Sequence, residues 1–166
     1  MNSNKYLSID PSGSGTTGCV FYDEQKKKYE SFSFTGKNWP EHFNFLFQVC
    51  QKKKVNILLY EATNFINKRT KSTADLFRLL GAIEILPFFQ KDIKKCDFIL
   101  VKQVKDLYKK VNQKILIIPE LERKIGRKGG WFFQGRKINV HELDALLGLY
   151  LYLFAPLNKP KKTKKK

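Results

Sequence analysis

The segment Val55–Tyr60 constrains the fold more than any other stretch of this chain. It is apolar but for Asn56, and its unbroken stretch Ile57–Tyr60 ends abruptly on Glu61. A strand with one face in water alternates apolar and polar residues, whereas a strand covered on both faces reads as an unbroken apolar run, the habit of central, parallel strands. A chain with such a strand must place layers on both sides of its sheet, which points to an α/β domain.

The flanking segments supply those layers. Tyr6–Ile9 is a short apolar strand ending at Asp10, followed by the turn-forming Pro11-Ser12-Gly13-Ser14-Gly15. Thr17–Tyr22 is rich in β-formers, Asp23–Lys28 is a polar turn, and Tyr29–Phe34 alternates aromatic with polar residues, so three strands form an antiparallel meander. Trp39, Phe43, Leu46, Phe47 and Cys50 have helical spacing, with Pro40 placed to start a helix over Pro40–Lys52. Ser72 to about Phe89 is the longest helical pattern, with Pro87 expected to end or kink it. Phe98–Val101 reads as a strand, Val104–Val111 as a helix, Lys114–Lys137 as an irregular glycine-containing loop, and Asn139–Phe154 as a final helix with Asn139 as N-cap. The order β-β-β-α-β-α-β-α-α predicts a mixed five-stranded sheet, its fourth strand parallel to its first, with helices on both faces. Residues 1–157 form one domain in this reading, and residues 158–166 a disordered basic tail.

Charge narrows the partners. Lysine and arginine number 32 against 15 acidic residues, for a net charge of +17 over 166 residues. Removing the six lysines of the last nine residues still leaves +11, so the excess belongs to the body of the chain as well. A polyanion is the expected partner, nucleic acid first and an anionic membrane surface second, against the plainer reading of solvated lysine faces. No apolar run approaches the ~20 residues that span a bilayer. Cys19, Cys50 and Cys96 have no metal-ligand spacing and an odd count, so they read as small hydrophobes in a reducing, cytoplasmic setting. Heavy use of Lys, Asn, Ile and Phe suggests an AT-rich genome, such as that of a small bacterium or its mobile element.

Three carboxylates stand at marked positions. Asp10 ends the first strand, Glu61 ends the fourth, and Asp144 interrupts the apolar helix sequence VHELDALLGLYLYLF. If strands one and four are neighbours, Asp10 and Glu61 emerge side by side at the sheet edge where α/β folds bind ligands, and a helix across that edge brings Asp144, with His141 one turn earlier on the same face. Clustered carboxylates repel one another unless a cation neutralises them, and hard oxygen ligands suit Mg2+ or Mn2+. Each residue alone has a plainer reading: Asp10 as a turn former, Glu61 as a solvated strand end, His141 as a surface residue. Asp144 is harder to explain so, because an unpaired charge among apolar neighbours is costly. Glu142 faces away from Asp144 and is expected to be solvated near the positive helix end.

At these residues the chain resembles the RuvC-type Holliday-junction resolvases of the ribonuclease H-like superfamily. Leu7-Ser8-Ile9-Asp10-Pro11-Ser12 followed by Thr17-Gly18 resembles the family's opening. Tyr60-Glu61 resembles its fourth strand, Ser72-Thr73-Ala74 with Gly81-Ala82 the following helix, Val104-Lys105 the segment after strand five, and His141-Glu142-Leu143-Asp144-Ala145-Leu146 the closing helix. The likeness spans about Lys5 to Phe154. It implies a homodimer that nicks four-way DNA junctions symmetrically with two Mg2+ or Mn2+ ions per site, with Asp10, Glu61, His141 and Asp144 as catalytic metal ligands. It further implies Phe65 as an aromatic that stacks on junction bases, or else a buried anchor of its loop, and Lys68, Arg69, Lys102 and Lys105 as basic contacts to the DNA.

Lys114–Lys137 departs from that pattern. Arg127, Lys128 and Arg136 beside Trp131, Phe132 and Phe133 suit a flexible loop that grips phosphates and stacks on bases; the alternative is an ordered loop whose aromatics fill the core while its charges are solvated. The helix from Ser72 carries Leu76, Phe77, Leu79, Leu80 and Ile83, more apolar surface than one sheet face needs, and Gly81 in mid-helix suits close packing. A two-fold dimer or intramolecular packing would use it. Two other functions share these residues: a related nuclease acting on an RNA–DNA hybrid or flap, and a basic nucleic-acid-binding protein without catalysis.

Overall fold

The structure, a computed structural model, describes residues 3–62 and 70–154. Strands β1 (Lys5–Asp10), β2 (Gly15–Asp23) and β3 (Lys28–Gly36) form the expected antiparallel meander. Helix α1 (Trp39–Lys53) leads to β4 (Ile57–Ala62), α2 (Lys71–Phe89) to β5 (Lys95–Leu100), and α3 (Val101–Asn112) follows at once. The sheet order is β3-β2-β1-β4-β5, with β4 parallel to both β1 and β5. This is the predicted mixed five-stranded sheet.

Alternation along the strands explains the apolar run. Leu58 and Tyr60 of β4 join Leu7 and Ile9 of β1 in a core under α1 and α2, while Leu59 and Tyr6 face the opposite core, built on α4 (Val140–Phe154). Covered on both faces, β4 has little place for polar residues until its end. Helix α4 lies close against the sheet because small residues face each other there: a Cβ on Gly148 would stand 3.2 Å from Ser8 Oγ.

Local chemistry sets the helix ends. Asn38 accepts from the Glu41 N–H at 3.2 Å to start α1, and Thr70 does the same for Thr73 to start α2. Pro87 does not end α2, which runs two residues further. Proline lacks the N–H that would bond the Ile83 carbonyl; the Cys96 thiol donates to that carbonyl instead, at 3.8 Å. Among the described residues no helix is long and apolar enough to cross a membrane.

The expectation of an irregular, flexible loop over Lys114–Lys137 is corrected. Strands β6 (Leu121–Lys124), β7 (Gly130–Phe133) and β8 (Arg136–Ile138) form a second, antiparallel sheet in the order β6-β7-β8. The glycines that suggested a loop occupy its turns: Gln134 and Gly135 both have positive φ (52° and 75°), the backbone of a two-residue hairpin turn. Phe133 is buried against Tyr29, and Trp131 packs edge-on to Tyr108 at 6.0 Å. These aromatics anchor the sheet to the domain, as the ordered-loop alternative required.

Candidate active site

Register brings the first two carboxylates together. Ile9 of β1 pairs with Tyr60 of β4, both pointing into the α1–α2 core. The next residue on each strand, Asp10 and Glu61, therefore points the other way, toward α4, at adjacent C-terminal strand ends. The N-terminus of α4 is built to meet them. Asn139 accepts from the Glu142 N–H at 2.9 Å, so the helix begins where expected. His141 then reaches Asp10, Nδ1 to Oδ2 at 2.7 Å, and Asp144 follows one turn later.

Gly18 is the residue that permits this approach. It pairs with Asp10 across β1–β2, and a Cβ there would lie 2.1 Å from the His141 carbonyl carbon and 2.5 Å from the Glu142 nitrogen. Any side chain would push the first turn of α4 off the sheet and carry His141 and Asp144 away from Asp10. The other flank of Asp10 is held by a buried network. Thr17 accepts from the Ser12 N–H at 3.0 Å and shares a 2.8 Å hydrogen bond with Nδ1 of the fully buried His42. Gly13 packs so tightly on α2 that a Cβ would meet the Leu76 nitrogen at 2.1 Å. Sequence reading marked Thr17-Gly18 only as a pair within a motif and missed His42 altogether; a histidine among apolar helix positions was the available signal.

The electrostatics follow from proximity and burial. Burial, then the charges of Asp10 and Asp144, push Glu61 up to about 8, against the opposing Lys105. Burial and Asp10 push Asp144 up to about 6, opposed by His141 and Lys105. Burial raises Asp10 as well, and its bond to His141 holds it down. Among the described residues, Glu61 Oε2 is buried with no hydrogen-bond donor. Among the described residues no three acidic, imidazole or thiol side chains stand close enough to enclose an ion as they are arranged. The chemistry of the set nevertheless fits a hard divalent cation: three carboxyl groups that repel one another when charged, beside an imidazole.

The remaining candidates divide. Lys105 lies near enough to act on both Glu61 and Asp144, and Lys102 is exposed one turn earlier on α3. Arg127 and Lys128 are exposed in the β6–β7 turn. Trp131 is half-buried on Tyr108. Arg136 bonds Glu142 and the Ser31 carbonyl, tying β8 to α4 and β3. That pair corrects the expectation that Glu142 is solvated: its side chain is only 4% exposed, because β8 and β3 close over this face of the helix. Phe65, Lys68 and Arg69 lie outside the described residues, as does the tail 158–166.

No protein-family model and no curated protein sequence matches the chain. Solved structures do. Thermus thermophilus RuvC in complex with a Holliday junction substrate superposes with a TM-score of 0.61 at 13% identity, over 92% of this chain and 97% of that one. A further structure of Thermus thermophilus RuvC gives 0.59 at 13% identity, over 87% and 90%. In its mixed sheet, its helix layers and the extent of its match, the chain has the ribonuclease H-like fold of RuvC.

Proposed function

We propose that the chain is a divalent-metal-dependent endonuclease that resolves four-way DNA junctions by paired, symmetric nicks. The observation that carries this reading is the convergence of Asp10, Glu61 and Asp144 at one sheet edge, with Glu61 Oε2 buried and, among the described residues, unpaired. A carboxyl group in that state is either protonated or neutralised by a cation, and its place in a RuvC-like fold supports this class of substrate. Asp10, Glu61, His141 and Asp144 are the residues that would hold Mg2+ or Mn2+. Two such ions would supply an activated water and stabilise the oxygen leaving the phosphodiester.

The chain's own residues supply positioning and charge. Asp10 Oδ2 and His141 Nδ1 share a hydrogen bond; with the proton on Nδ1 it would fix the tautomer whose Nε2 is placed to ligate a metal. Lys105, beside Glu61 and Asp144, offsets their charge and is placed to hold a backbone phosphate, with Lys102 on the same helix. Phe65, Lys68 and Arg69 follow Glu61 directly in sequence and are proposed as further DNA contacts. Helix α2 carries an exposed apolar stripe of Phe77, Ile85 and Phe88, of which Phe88 is 85% exposed. A two-fold dimer through this stripe would present two cutting sites to the two equivalent strands of a junction.

The test is cleavage of a four-way junction, an RNA–DNA hybrid and a flap side by side, in Mg2+ and in Mn2+, with sizing of the free protein. Metal-dependent symmetric nicks in the junction are expected, with Asp10→Asn abolishing cleavage and retaining binding. Intact junctions in both metals would refute the proposal, and preferential cutting of the hybrid would reassign the substrate.

A further inference from the structure

The β6–β7 hairpin ends in a feature that folding does not explain. Ile125 is 97% exposed, forgoing the roughly 2 kcal/mol an isoleucine gains from burial. Around it stand Arg123, Lys124, Arg127, Lys128 and Lys137, all exposed. Among the described residues, the ion pairing of these five is limited to one 3.8 Å contact between Lys124 and Glu122.

The projection is rigid. Phe133 at its base is in the core, Trp131 rests on Tyr108, and the Lys124 ammonium sits 4.5 Å over the Phe132 ring. The turn is closed by the Gly129 N–H on the Gly126 carbonyl at 2.8 Å, and a Cβ on Gly129 would come within 2.5 Å of the Lys124 oxygen. The aromatics of this segment are thus spent on anchorage, and the apolar group offered to a partner is Ile125. Register gives the direction. Lys124 pairs with Gly130 and Trp131 with Ile138, and β8 runs straight into the first turn of α4. The tip therefore projects from the end of the small sheet where His141 begins the catalytic helix.

We infer that this hairpin is a wedge: Ile125 enters the base stack of a DNA arm leaving the carboxylate cluster, while Lys124, Arg127, Lys128 and Lys137 hold the phosphates on either side of the opened step. Branched aliphatic side chains act in this way between base steps, and flanking cations offset the cost of unstacking. The inference rests on the reading of the cluster as a nuclease site, because it takes DNA to be present at that end of the molecule. An acidic protein surface would satisfy the same charges without disturbing any base.

The experiment uses the full chain in EDTA, so that it does not depend on cleavage. A four-way junction carrying a fluorescent adenine analogue at successive positions near the branch is titrated with protein at several salt concentrations. Binding is expected to raise fluorescence at one or two positions, and Ile125→Ala to abolish that rise while affinity falls less than about fivefold. Arg127→Ala with Lys128→Ala is expected to lower the salt slope by about 1.8, so that the affinity lost between 50 and 200 mM salt shrinks about twelvefold. Fluorescence indifferent to Ile125→Ala, or a salt slope indifferent to the double variant, would overturn the wedge. Protein that unstacks the junction through Ile125 but cuts nothing in Mg2+ or Mn2+ upholds the wedge and sinks the nuclease; protein that cuts while Ile125→Ala leaves the unstacking intact does the reverse.

Discussion

Glu61 offers a test of the charge argument that needs no substrate. Its folded-state value of about 8 stands roughly 3.5 above the ordinary 4.5. At ~1.4 kcal/mol per unit the ceiling is about 5 kcal/mol, and relaxation of the side chain and solvent access reduce the expected effect to about 2–3 kcal/mol. Because the folded value is raised, the folded protein holds a proton that the unfolded chain releases. The contribution is therefore fully present below about pH 4.5 and lost as pH rises through about 8. Asp144, raised to about 6, acts in the same sense over a lower and narrower window. Urea unfolding of metal-free protein should show stability falling between pH 5.5 and 8.5 by about 2 kcal/mol or more. Glu61→Gln, which keeps the shape without the charge, should flatten most of that slope. At pH 8, Mg2+ should stabilise the native protein and release protons as it binds, and it should do neither in Glu61→Gln. Equal stability at pH 5.5 and 8.5, or a Mg2+ effect undiminished in Glu61→Gln, would refute both the buried-charge argument and the assignment of Glu61 as a ligand.

Two further substitutions test the packing around the cluster. Gly18→Ala places a methyl 2.1 Å from the His141 backbone; it should destabilise by about 1–3 kcal/mol and reduce junction cleavage far more than junction binding, as measured by thermal melts and by gel assays on the same preparation. Arg136→Met strands the Glu142 carboxylate in a nearly closed environment and should cost about 3–5 kcal/mol, whereas Arg136→Met with Glu142→Gln should recover most of the loss, which a double-mutant cycle of urea midpoints will read directly.

Much of this molecule is legible in one dimension, and particular residues show why. The unbroken run before Glu61 indicates a strand covered on both faces, because burial on both faces leaves little room for polar alternation. The meander, the parallel placing of the fourth strand beside the first and the candidacy of Asp10, Glu61, His141 and Asp144 come from local periodicity, strand ends and a charge set among apolar residues. Local pattern misleads where composition has two meanings: glycines between Lys114 and Lys137 suggest a loop, yet they serve hairpin turns, and only strand pairing distinguishes the two. Pro87 suggests an end or a kink in α2, but the helix runs on to Phe89 and the thiol of Cys96 on β5, nine residues on, satisfies the freed carbonyl.

What the sequence by itself determined is the kind of sheet and which carboxylates are candidates, since periodicity and burial act between neighbours along the chain. Tertiary structure alone decided the rest: that Gly18 lets α4 lie against β2, that His42 braces the Asp10 loop through Thr17, and that Arg136 covers Glu142. It also decided that Ile125, otherwise one more apolar residue, stands bare on a basic hairpin at the end of the small sheet nearest the start of α4. Most of those outcomes depend on contacts between segments distant along the chain, and even Arg136, six residues from Glu142, reaches it only because β8 folds back beside α4; no local pattern encodes which backbone will come within van der Waals reach.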